Sequence, residues 1–155
     1  MNTIMVQAAD RRWTMQAMHL ACAMARNTHA KIVLLHLLPV SNTMLLGSPL
    51  GTIAPTREER QAIKDYASVA EDYGIETDLM PFQYESLVDA LVQAAEELDA
   101  SVVFAQLPKH GFQLFRKYQK WWLQRQLLRQ KRQLCLIEEN PQTGSVPAVS
   151  LRAIK

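Results

Sequence analysis

The strongest constraint on the fold is a change of hydrophobic period along the chain. Short continuous apolar runs alternate with segments whose apolar residues recur at helical spacing. Lys31 to Leu38 (KIVLLHLL) is the clearest run, and Pro39 ends it. Such a run, rich in branched side chains, suits a strand covered on both faces, as in the centre of a parallel sheet. Thr3 to Ala8, Ser101 to Leu107 and Gln133 to Glu138 read the same way. Ile75 to Phe82 alternates instead, and Pro81 within it suits an edge position.

Helices fill the intervals. Asp10 is placed to cap a helix over 11–27, with Trp13, Ala17, Leu20, Ala21 and Met24 on one stripe and Met15, Met18, Cys22 and Ala25 on a second, so two sides should be covered. Thr56 and Glu59 have capping-box spacing for a second helix, which Gly74 should end. Ser86 and Asp89 should open a third, with Leu87, Leu91, Ala95 and Leu98 on one face. A basic helix is expected over 112–130. The residues between 40 and 55 show no period, and Met44, Leu45, Leu46, Leu50 and Ile53 there are placed to plug a cleft or meet a partner subunit.

Strands alternating with helices predict an α/β fold: a five-stranded parallel sheet with helices on both faces and right-handed crossovers. Ligands in such sheets bind at the carboxyl ends of the strands, where the strand order reverses. Here that rim is Ala8 to Arg12, Leu38 to Val40 and Ala105 to Gly111. A length of 155 residues predicts one domain, 1–138, and the polar remainder, 139–155, should be an extended or partly disordered tail. With 48% apolar residues the chain has enough apolar surface for a packed core. No apolar run is long enough to span a membrane, and no leader pattern is read. Cys22 and Cys135 do not make a disulfide framework and read as core thiols, so a cytoplasmic location is expected.

Charge is unevenly spread. Residues 1–108 carry 7 basic and 13 acidic side chains, whereas 109–132 carry 8 basic and none acidic. That basic segment contains Lys109, Arg116, Lys117, Lys120, Arg125, Arg129, Lys131 and Arg132, interleaved with Phe112, Phe115, Tyr118, Trp121 and Trp122. The stripe traced through Leu114, Tyr118, Trp121 and Leu128 should face the sheet, with one Trp of the adjacent pair less buried. The cationic face could be solvated, dock on an acidic protein, lie on an anionic membrane surface or bind nucleic acid phosphates.

The segments TIMVQAADRRWTMQAMHLACAMA, AKIVLLHLLPV, GIETDLMPF with the later AAEELDASVVFAQ, and RQLCLIE follow one another in an order and spacing that resembles the universal stress protein family over about residues 3–138. The resemblance implies a homodimer built through the last strand, Gln133–Glu138, and ATP bound by a glycine motif just after the fourth strand, assisted by an Asp at the end of the first. This sequence departs from that motif. The glycine positions fall at Ala105, Pro108 and Tyr118, the Ser/Thr position at Gln119, and the Asp position at Ala9 with Asp10 next to it. Pro108 has no N–H for a phosphate, and the Tyr118 ring would stand where bare main chain is needed. The ATP site is therefore expected to be lost or much weakened, and no cofactor is expected.

Catalytic and metal motifs are not found. Gly47-Ser48-Pro49-Leu50-Gly51 has the wrong spacing for a nucleophile elbow, and the four His share no ligand spacing with the Cys. The sequence reads as a non-enzymatic regulatory or adaptor module whose partner surface is Lys109, Arg116, Lys117, Lys120, Trp121, Trp122 and Arg125. The alternatives are a nucleotide sensor with a rebuilt phosphate site on Lys109, Arg116 and Lys117, and a peripheral membrane protein.

Overall fold

In a computed structural model, residues 2–39, 55–108, 113–138 and 148–150 are described. The strands β1 (Thr3–Gln7), β2 (Lys31–Pro39), β3 (Thr77–Tyr84), β4 (Ala100–Phe104) and β5 (Gln133–Glu138) alternate with the helices α1 (Arg11–Thr28), α2 (Arg57–Tyr73), α3 (Leu87–Glu97) and α4 (Gln113–Arg129). The five strands form a parallel sheet in the order β3-β2-β1-β4-β5. This is the α/β architecture the alternating pattern predicts. A short β6 (Ala148–Ser150) adds one antiparallel strand, pairing with Leu136 to Glu138. The tail read as extended or disordered thus contributes to the sheet, and it takes up part of the β5 edge assigned to the homodimer.

Strand side chains alternate between two cores. Ile4, Val6, Ile32, Leu34, Phe104 and Cys135 face one layer with Trp13, Ala17, Ala21 and Tyr66 of α1 and α2. Met5, Leu35, Val103 and Ala105 face the other, with Leu91, Ala95, Leu123 and Leu127 of α3 and α4. Burial on both faces is why the runs carry no polar alternation. β3 lies at the edge, where Pro81 is tolerated.

The helix starts follow the expected caps at two places and fail at a third. The Asp10 side chain accepts from the Arg12 N–H, and Thr56 and Glu59 form a complete capping box. Ser86 occupies its cap position without a side-chain hydrogen bond. Each helix-to-strand connection then contains one left-handed residue, at His29, Gly74, Asp99 and Lys131 in turn. Gly74 takes this conformation without a Cβ penalty. Arg132, although part of the basic segment, is structural: its guanidinium donates to the Ala100 carbonyl and to Asp99 at the start of β4.

Candidate functional site

The strand order reverses between β1 and β4, and a cleft of about 720 Å³ opens there at the carboxyl ends of the strands. Gln7, Asp10 and Arg12 line one side, Gln106 and Pro108 another, with Tyr84 at the end of β3, in register with Pro39 of β2. Local hydrogen bonds fix its floor. The buried Gln7 side chain accepts from the Gln106 backbone N–H at 2.9 Å. Gln106 Nε2 donates to Asp10 Oδ2 at 3.0 Å, and the Asp10 N–H donates back to Gln106 Oε1 at 3.4 Å. Buried Thr14 accepts from the Ala9 N–H and donates to the Asp10 carbonyl, each at 2.9 Å. The turn between β1 and α1 is therefore held by three side chains.

The charge at this turn is largely balanced within the chain. The N-terminus of α1 carries partial positive charge, but the Asp10 carboxylate already sits on it as the cap. Among the described lining residues Arg12 supplies the positive charge.

The positions counted for the glycine motif separate in space. Ala9, Asp10 and Pro108 line the cleft. Ala105 is fully buried beside it, and its N–H donates to the Cys135 carbonyl at 3.3 Å, so that amide is engaged within the sheet. Tyr118 and Gln119 lie within α4 and do not line the cleft. The steric objection from the Tyr118 ring is thereby corrected, because the count past Pro108 runs into a helix; Pro108 keeps its position at the cleft. Lys109 and the segment 40–54 lie outside the described residues. Gln7 and Gln106 were not singled out by sequence. Their signal was there, since the apolar runs TIMVQA and SVVFAQ each place a glutamine at the strand's carboxyl end.

The second site is on α4, and here the stripe assignment is reversed. Leu123 and Leu127 are the buried residues that pack on the sheet. Leu114 (68% exposed), Tyr118 (56%), Trp121 (50%) and Leu128 (43%) face away from it. The helix has apolar residues on two opposite sides, and the compact pair of leucines takes the inner one. Trp122 is half-buried and packs against the core beside α3 and α4, so the two tryptophans differ as expected. Tyr118 stacks on Trp122 with ring centroids 6.4 Å apart, Trp121 is tilted against both, and the Arg125 guanidinium lies 5.1 Å over the Trp121 ring. Arg116, Lys117, Lys120 and Arg125 are exposed on this helix.

Burial holds both thiols in their neutral form, pushing Cys22 and Cys135 up to about 11. Among the described residues no group of three His, Cys, Asp or Glu converges as a metal site, and no helix is long and apolar enough to cross a membrane.

No family model and no curated protein sequence matches the chain. Solved structures do. A universal stress protein in complex with cAMP superposes with a TM-score of 0.63 at 13% identity, covering 90% of this chain and 98% of its own. A universal stress protein family member from Burkholderia pseudomallei gives 0.60 at 16%, covering 89% and 96%. The chain has the universal stress protein fold. The Archaeoglobus fulgidus universal stress protein in complex with dAMP gives 0.53 at 16%, covering 89% and 98%. At such identities the likeness carries architecture, and function must be argued from the sites.

Proposed function

We propose that this chain is a non-enzymatic regulatory adaptor of the cytoplasm whose working surface is the outward face of α4, where a protein partner docks. The observation that carries the reading is the row of exposed Leu114, Tyr118, Trp121 and Leu128 on a helix with five basic and no acidic residues. Contiguous exposed apolar surface marks interaction sites, and Trp, Tyr and Arg are the residues on which binding energy concentrates. The cleft fits the same reading in one respect, because Pro108 offers no N–H to a phosphate at its rim. The test is affinity purification with a variant carrying Arg116→Glu, Lys117→Glu and Arg125→Glu. Loss of a partner recovered by the parent, at an unchanged melting temperature, is expected; equal recovery would defeat the reading.

A second reading, an adenine mononucleotide in the cleft, is favoured by one feature. Asp10, Arg12, Tyr84 and Gln106 surround a 720 Å³ opening at the strand-order switch, and two structures with this fold hold cAMP and dAMP. Calorimetry with dAMP and with Mg-ATP separates the cases: saturable micromolar binding of either would move the function to the cleft. A membrane-surface role has less support, since Arg125 stands inside the exposed stripe. Sedimentation with anionic liposomes at two salt concentrations tests it.

A further inference from the structure

The exposed residues of α4 have a spacing that narrows the kind of partner. Leu114, Tyr118, Trp121, Arg125 and Leu128 follow one another at intervals of four, three, four and three. At 100° per residue they fall within an arc of about 80°, opposite Leu123 and Leu127. This is the seam spacing with which one helix receives another, and over 15 residues it is about 21 Å long. Its composition is that of an interface centre, with Tyr118 and Trp121 as rigid rings and Arg125 held over Trp121.

Charge selects among occupants. Arg116, Lys117, Lys120, Arg125 and Arg129 lie on α4 with no acidic residue beside them in the helix. A second copy of α4 would bring ten cations together. The other helices of this chain are already committed: Trp13, Ala17 and Ala21 of α1, Tyr66 and Ala70 of α2, and Leu91 and Ala95 of α3 are spent inside the fold. Residues 40–54 contain no acid, and 139–155 contain one acid against two bases. No described helix of this chain pairs an uncommitted apolar stripe with an excess of acid, so the occupant that matches both features is a different protein.

We infer that the outward seam of α4 receives an acidic amphipathic helix of a different protein, its apolar stripe on Tyr118 and Trp121 and its carboxylates along Lys117, Arg125 and Arg129. This rests on the adaptor reading and specifies its partner as helical. Fluorescence titrations of the full chain test it with a 21-residue peptide carrying Leu at the seam positions and Glu on the flanks. The controls are a scrambled peptide of the same composition, a version with Lys on the flanks, phosphatidylserine vesicles and single-stranded DNA. The helical acidic peptide should bind at least about tenfold tighter than the scrambled one, and Tyr118→Ala and Trp121→Ala should each weaken it by about tenfold or more. Equal binding of the scrambled acidic peptide overturns the helix inference while leaving the adaptor reading standing. Binding of vesicles or DNA with no peptide binding overturns both. An equally tight Lys-flanked peptide, or binding of none of the probes, overturns the inference.

Discussion

α1 and α4 lie on opposite faces of one sheet, have 18 and 17 residues, and spend their apolar side chains in opposite ways. α1 buries seven residues, from Trp13 to Ala25, and has a side-chain cap at Asp10. α4 buries Leu123 and Leu127 and turns its larger apolar residues to solvent. An apolar residue at helical spacing therefore says only that a stripe exists. Which stripe the sheet takes depends on packing: small, closely spaced side chains let a helix sit near the strands, and α1 supplies three alanines, Ala17, Ala21 and Ala25, on its inner side.

The contrast can be broken most sharply with tryptophans. Trp13→Ala should cost about 3–5 kcal/mol in urea unfolding, the usual range for a buried ring in a close-packed core. Within α4, Leu123→Ala should cost about 2–5 kcal/mol, and Leu128→Ala should stay within about 0.5 kcal/mol. Asp10→Ala should cost about 1 kcal/mol through loss of the cap, and it also removes the carboxylate partner of Gln106. Trp121→Ala, which loses the ring contacts with Tyr118 and Trp122 and the Arg125 cation, should cost no more than about 1 kcal/mol. A loss above 2 kcal/mol there would mean that the stripe is part of the core.

The pH dependence sharpens the same contrast from the buried side. Cys22 and Cys135 titrate near 9.0 when exposed and at about 11 in the fold. The folded state therefore favours the neutral thiol, and this contribution is fully present below pH 9. It is lost as pH rises through 11, because the unfolded chain gives up its protons first. Stability should fall between pH 9 and 11, and a Cys22→Ala, Cys135→Ala variant should fall less steeply. Both thiols of the folded protein should resist alkylation at pH 8.

Most of the architecture was legible in the sequence because its signals are local. KIVLLHLL can be little other than a central strand, Thr56 with Glu59 marks a helix start, and Pro81 marks an edge. The site was legible in part. Asp10 was placed at the rim by its position between a strand and a helix, whereas Tyr118 was carried to the cleft by counting residues across a connection whose length is not conserved by any physical rule. The orientation of α4 was out of reach, since a helix with two apolar stripes gives no local clue to which one the sheet will take. β6 escaped because three residues following a polar stretch carry no period, and its pairing with Leu136 to Glu138 is a long-range event.

The outward orientation of the Tyr118–Trp121 stripe decides whether α4 has a docking face, and Trp121 reports on it directly. In a Trp13→Phe, Trp122→Phe variant the remaining half-exposed indole should emit well to the red of a buried one and be readily quenched by acrylamide. Blue-shifted emission protected from quencher in the unliganded, folded variant would contradict the account.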